Sequence, residues 1–458
     1  MNRLEPGRAG AWADALTIVS IVALGICVAA FVSHASPPSA ASETRAEPRA
    51  TSTETTSAPP EPADTTYRAP EVTYPTNIPG CTVVEPPSAE SSTWVQAVTS
   101  EDAYDNPQYP WYSGQRSVMM TDAVAEALPD RVEVLFGSRR ESLIFQPIPQ
   151  TSPDPIEVTG PGFAQASAEM GRGDKVGLLS VSVGFVDTGV PPCIAGAVRE
   201  RTTEADGAVV DINESWYEIG PQRTNFRTVT AYAPDGSQIS ATASDATGFQ
   251  SSNSGERDIV LTIDELKALV QQPELRATTQ VPPNTPQPGG GCDGTFGFTS
   301  GGPTIRAETA HTLNEVLRGI DVGERFDRGL NSLMLADFQD DVVCTQVDVL
   351  DTGADLSLTI KGGQELPEIP DVYDPAYKSR PLNTEILDGG AVLEVDDSPY
   401  TYSPAPEGRP NGGTYRTVIV TYPSGTQVEV RSHAENPDEP LGVDKLRTIA
   451  TADGLDVL

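Results

Sequence analysis

Apolar and polar positions along this chain follow three periods, and each predicts a different element. From Ala15 to Ser33 the residues run apolar without a charge for 19 positions. A helix rises ~1.5 Å per residue, so the run reaches about 28 Å, the hydrocarbon thickness of a bilayer. Further on the period drops to two. Val210 and Ile212 alternate with Asp211 and Asn213, the pattern of a half-buried strand. Val229 and Ala231 precede the turn Pro234-Asp235-Gly236, and Ile239 and Ala241 follow it, which predicts a β-hairpin. Strand-like runs also cover 177–186 and 342–350. A helical period marks 121–128 and 307–319, the second with Ala310, Leu313 and Leu317 on one face. Leu266, Leu269 and Val270 form a short stripe after the hairpin, behind Thr262 and Glu265 at capping-box spacing.

These elements occur twice in the same order. GAVVDINESWY at 207–217 aligns without a gap to GAVLEVDDSPY at 390–400. FRTV at 226–229 and PDGSQI at 234–239 align to YRTV at 415–418 and PSGTQV at 423–428. LTIDEL at 261–266 aligns to LGVDKL at 441–446, where Gly442 and Lys445 make a weaker cap. Three matches in one order, separated by small insertions, point to an internal duplication. Each copy reads as helix, strands, hairpin and short final helix. The fold class is α+β, with two related domains built on mostly antiparallel sheets.

Composition places these domains outside a membrane. Arg3 and Arg8 precede the apolar run, and cationic flanks stay on the cytoplasmic side, which makes 1–14 a cytoplasmic tail and 15–33 a single-pass transmembrane helix. Ser33-His34-Ala35 has the small residues of a signal-peptide cleavage site, but the run exceeds the usual length of a cleaved signal, which favours a retained anchor. Under either reading the bulk of the chain is extracytoplasmic. Residues 34–75 are rich in Pro, Ser, Thr and Ala and have little to bury, so they are expected to form a disordered spacer. QVPPNTPQPGGG at 280–291 is a second linker, dividing domain 1 at 76–279 from domain 2 at 292–458.

The chain holds 65 acidic and 30 basic side chains, a net charge of −35, which repels nucleic acid and anionic lipid head groups, so no nucleic-acid partner is expected. Of five cysteines, Cys27 lies in the apolar run. Cys81, Cys193, Cys292 and Cys344 lie outside, where disulfides persist, and four cysteines allow three pairings. If each half folds alone, Cys81 pairs with Cys193 and Cys292 with Cys344. No CxxC occurs and there are only three histidines, so no metal site and no cofactor is expected.

One motif raises the question of catalysis. Asp-Thr-Gly occurs once in each half, at 187–189 and 351–353. The second, in VLDTGAD, resembles the active-site loop of aspartic proteases, a family built from two similar lobes. That resemblance implies a dyad of Asp187 and Asp351 sharing one proton. The motif also has a simpler reading. Val347 and Val349 before it, and Leu356, Leu358 and Ile360 after it, make it a hairpin turn. The acidic positions Asp211, Asn213 and Glu214, and Glu394, Asp396 and Asp397, read as a solvated strand face, and His311 and His433 as surface residues. The chain shows no nucleotide-binding glycine loop and no serine elbow.

The Pro/Thr/Ala-rich spacer and the repeated hairpin-plus-helix resemble those of membrane-anchored or secreted actinobacterial proteins. That resemblance covers about the last fifty residues of each half and implies no known activity. The sequence therefore predicts a non-enzymatic cell-envelope protein with a binding, sensing or structural role, its partner an envelope component. An extracytoplasmic aspartyl hydrolase is the alternative.

Overall fold

The structure, a computed structural model, describes residues 66–87, 104–148, 162–186, 189–248, 253–292, 301–337, 339–367, 383–403 and 410–457. The apolar run at 15–33 and most of the spacer lie outside the described residues. No helix among the described residues is long and apolar enough to cross a membrane.

The first half begins with β1 (Tyr67–Arg68) and β2 (Val84–Glu85), then α1 (Gly114–Ala127) and β3 (Glu133–Val134). There follow β4 (Phe163–Arg172), β5 (Lys175–Phe185), β6 (Cys193–Ile194), β7 (Glu200–Thr203), β8 (Val209–Ile219), β9 (Gln222–Tyr232) and β10 (Ser237–Ser244). The half closes with β11 (Glu256–Arg257) and α2 (Ile263–Val270). The second half runs α3 (Ala307–Arg318), β12 (Met334–Leu335), β13 (Val342–Asp348), β14 (Asp355–Lys361), β15 (Asn383–Ile386), β16 (Val392–Tyr400), β17 (Gly413–Thr421), β18 (Gln427–Glu435) and α4 (Val443–Ala450).

Each half builds one large sheet, and the main ladders of both are antiparallel. The first has the order β1-β8-β9-β10-β5-β4-β3, with β7 also on β8. The second has the order β12-β13-β14-β18-β17-β16-β15. Read from β3 and from β12, the first six strands of the two sheets follow one order; β7 on β8 corresponds to β15 on β16, whereas β1 comes from the start of the first half. Each has its own core. Alternate residues such as Val181, Val183, Val229 and Ile239 face α1 and α2 in the first half, and Leu356, Leu358, Val418 and Val430 face α3 and α4 in the second. The period-two alternation in the sequence is thus the inward face of each sheet. Gly236 and Gly425 hold φ of 90° and 94°, the left-handed conformation their hairpin turns require.

Thr262 accepts from the Glu265 amide while the Glu265 side chain returns to the Thr262 amide, completing a capping box. Gly442 caps α4 without a side chain. The helix expected over 121–128 starts earlier, at Gly114, because the Ser113 side chain accepts from the Arg116 amide and caps it there. The spacer also ends sooner than expected. Tyr67 and Arg68 pair with Ile219 and Glu218, so the chain joins the first sheet at β1.

Each half holds its own disulfide: Cys81–Cys193 with Cα atoms 6.2 Å apart, and Cys292–Cys344 at 5.6 Å. These spacings are ordinary for a disulfide. The two sheets meet just beyond β3. Ser138 bridges to Leu335, the Leu335 amide donates to the Gly137 carbonyl at 3.1 Å, and Arg140 pairs with Asp337 at 2.8 Å.

Candidate functional site

The outer face of the second sheet carries a row of side chains fixed by strand register. Asp355 of β14 lies opposite His433 of β18, His433 opposite Tyr415 of β17, and Tyr415 opposite Ser398 of β16. Two residues along β16, Tyr400 lies opposite Gly413. All five side chains share one face because positions two apart on a strand point the same way.

In this row His433 is held from both sides. Its Nδ1 lies 2.9 Å from Asp355 Oδ2, and its Nε2 lies 2.9 Å from the Tyr400 hydroxyl. The His433 ring stacks on Tyr415 with centroids 4.4 Å apart, and Tyr415 stacks on Tyr400 at 5.1 Å. Tyr402 crosses Tyr400 nearly at right angles, at 5.4 Å and 82°. Arg431 lies beside the Tyr415 ring and pairs with Glu429 at 2.8 Å. Tyr402 and Tyr415 are 44% and 39% exposed, so this corner reaches solvent.

The chemistry of the corner follows from its charge. Loss of solvent and then the adjacent Tyr402 hydroxyl push the Tyr400 phenol well above the usual tyrosine range. Tyr400 is therefore a neutral hydrogen-bonding group and not a tyrosinate nucleophile. Asp355 orients the imidazole, and Tyr400 occupies its second nitrogen. The result is a rigid aromatic surface with hydroxyls at its rim.

The first sheet carries a reduced version of this corner. Tyr217 and Phe226 stand at the positions of Tyr400 and Tyr415, with ring centroids 6.3 Å apart. Ser244, opposite Phe226, takes the place of His433, and Leu178 takes that of Asp355. Tyr67 of β1 stacks over Tyr217 at 6.3 Å.

The residues singled out by sequence lie elsewhere. Asp351 sits in the exposed turn between β13 and β14, where Gly353 has φ of 66°. Its carboxylate pairs with Arg325, whose guanidinium holds the Asp351 carboxyl below the usual carboxylate range. Asp187 lies outside the described residues. His311 is exposed near Glu315, whereas His433 is a bound member of the corner and not an ordinary surface histidine. The acidic strand positions are also not a uniformly solvated face. Asp211 is buried against a bidentate Arg201 at 2.6 Å, Glu214 pairs with Arg227 at 3.0 Å, and Asp397 pairs with Arg416 at 3.2 Å. The alternation placed Asp211 correctly on the outer face, but its partner comes from β7, a strand with no signal of its own. Among the described residues no cluster of His, Cys, Asp and Glu is arranged to hold a metal ion.

The sequence did hold a signal for the corner. Aromatic residues recur at aligned positions in the two halves, at 217 and 400 and at 226 and 415. His433 and Asp355 carried none, because only strand register makes them neighbours.

No protein-family model and no curated protein matches this chain. Two solved structures align weakly. The di-domain ARO/CYC StfQ from the steffimycin biosynthetic pathway is 11% identical at a TM-score of 0.13, over 70% of this chain and 81% of that one. The di-domain ARO/CYC BexL from the BE-7585A biosynthetic pathway is 10% identical at 0.11, over 74% and 86%. Likenesses at these TM-scores carry no argument about fold or activity.

Proposed function

We propose that this chain is a non-enzymatic binding protein of the cell envelope. In this reading residues 15–33 anchor it, the spacer extends it outward, and two duplicated domains act outside the membrane. The uncharged 19-residue run and the two disulfides, which suit an oxidising compartment, support the placement. The observation that carries the binding role is the solvent-facing corner of Tyr400, Tyr402, Tyr415 and His433. Exposed tyrosines held rigid by stacking and hydrogen bonds provide contact area at low entropic cost.

The test is photo-crosslinking in living cells. A photoreactive phenylalanine analogue replaces Tyr402 in the full-length chain, and a control carries it at Leu350, an exposed turn residue on the same sheet. The binding reading expects an envelope component attached at position 402 and not at 350. Identical products from both sites, or none at 402, would overturn it.

A further inference from the structure

We infer that the corner formed by Tyr400, Tyr402, Tyr415 and His433 takes a neutral glycan chain. This inference rests on the binding role proposed above and names the class of ligand.

Charge narrows the choice first. The ionisable groups that touch the rings are matched within the protein: His433 with Asp355 at 2.9 Å, and Arg431 with Glu429 at 2.8 Å. An anionic ligand finds no unmatched cation against the rings. Glu435 and Asp396 stand on the same face beside them, and Asp348 lies next to Asp355, on a chain of net charge −35; together they repel a polyanion. Size narrows the choice next. A stable protein interface covers roughly 800 Å² per partner and twenty or more residues, whereas this corner is four ring-bearing side chains.

A sugar ring meets what remains. One face of a pyranose is lined with weakly positive C–H groups, and the faces of aromatic rings are weakly negative. Its rim carries hydroxyls that both donate and accept. Tyr402 crosses Tyr400 edge to face and makes an apolar step beside the stacked rings of Tyr400, Tyr415 and His433. The phenol hydroxyls at the rim both donate and accept, as a polyol requires. Gly413 opens the space Tyr400 occupies, since a Cβ there would lie 3.0 Å from the Tyr400 hydroxyl. The first sheet lacks the imidazole, and Tyr67 of the same chain already lies on its aromatic pair, so the glycan site belongs to the second domain.

The experiment is affinity electrophoresis of the detergent-solubilised full-length protein through gels containing dextran, mannan or arabinogalactan, with hyaluronan as the polyanion. At least one neutral polysaccharide is expected to retard the wild type. Tyr402→Ala and Tyr415→Ala should each weaken that retardation at least tenfold while thermal unfolding stays within a few degrees of wild type. Tyr415→Phe, which keeps the ring, should retain most of it. Migration unaffected by all three neutral polysaccharides, retardation by hyaluronan alone, or full retardation of both alanine variants would overturn the inference. Crosslinking at position 402 together with no polysaccharide binding would leave the binding role standing and remove the glycan.

Discussion

Arg416 of β17 donates through Nη1 to the main-chain carbonyl of Leu441, 3.1 Å away, just before α4. In the first half Arg227 of β9 donates through Nη1 to the carbonyl of Leu261, also at 3.1 Å, just before α2. Each arginine is also paired with an acid on the neighbouring strand, Asp397 or Glu214. The same device therefore ties the final helix to its sheet in both domains, at positions that align in the sequence. Leu261 and Leu441 are both buried, so each arginine satisfies a carbonyl at the entry of a helix.

Removing either arginine takes the donor from that carbonyl and one partner from the acid. Arg416→Met and Arg227→Met should each cost about 1–3 kcal/mol, the range for orphaning a buried polar group. Because the two sites share no partner, the double variant should lose the sum of the two. Denaturant unfolding of the full-length chain measures this. Unchanged midpoints in both single variants would show that the pairs only decorate the fold.

Reduction should destabilise both domains. The cysteines of the first bridge are 112 positions apart and those of the second 52. In the chain-entropy model the bonds stabilise by about 5 and about 4 kcal/mol. Thermal unfolding with and without reductant, together with Cys81→Ser and Cys344→Ser, tests this. Identical melting in reductant would mean that the thiols are free.

The pH dependence should differ between two glutamates. Burial pushes the Glu394 carboxyl above the usual range. Such a group binds its proton more tightly in the folded state. Its favourable contribution is complete below the unfolded value near pH 4 and is lost as pH rises through the folded value. At pH 7 the ionised side chain therefore costs stability. Glu394→Gln should raise the melting temperature at pH 7 and give no gain below about pH 4. The Arg447 guanidinium instead holds Glu385 below the usual range. Its contribution is present above the unfolded value and fades as pH falls through the folded one. Glu385→Gln should lower the melting temperature slightly at pH 7 and converge with wild type in acid. Melting curves from pH 3 to 8 decide, and equal shifts of both variants across that range would contradict the signs.

Gly413 is the position where the corner tolerates no side chain. A Cβ there would lie 2.2 Å from the Ala434 carbonyl oxygen and 3.0 Å from the Tyr400 hydroxyl. Gly413→Ala should cost about 1–3 kcal/mol by overpacking and break the Tyr400–His433 contact. The imidazole resonances of His433 report that contact. Wild-type stability with unshifted His433 resonances would show that the strands yield without strain.

Much of the fold was legible because it rests on local chemistry. The Pro-x-Gly turns, the capping box at Thr262 and Glu265, and the alternation around Val229 and Ile239 each depend on neighbours in sequence. The Asp351 turn was legible as a turn for the same reason. The early start of α1 at Gly114 was missed because Ser113 supplies a cap without the capping-box partner. Joining of the first sheet at Tyr67 was missed because a two-residue strand has no period to detect.

The order of residues alone determined two sheet-rich halves, their hairpins, their final helices and the cysteines each half contains. Periodicity and turn chemistry act over a few residues, so they survive in a linear reading. Only the tertiary structure decided that Asp355, His433 and Tyr415 form one row, that Arg416 reaches Leu441, and that Asp211 is buried against Arg201. Those relations depend on which strand lies beside which and in what register. A one-residue slip would send each of these side chains to the opposite face.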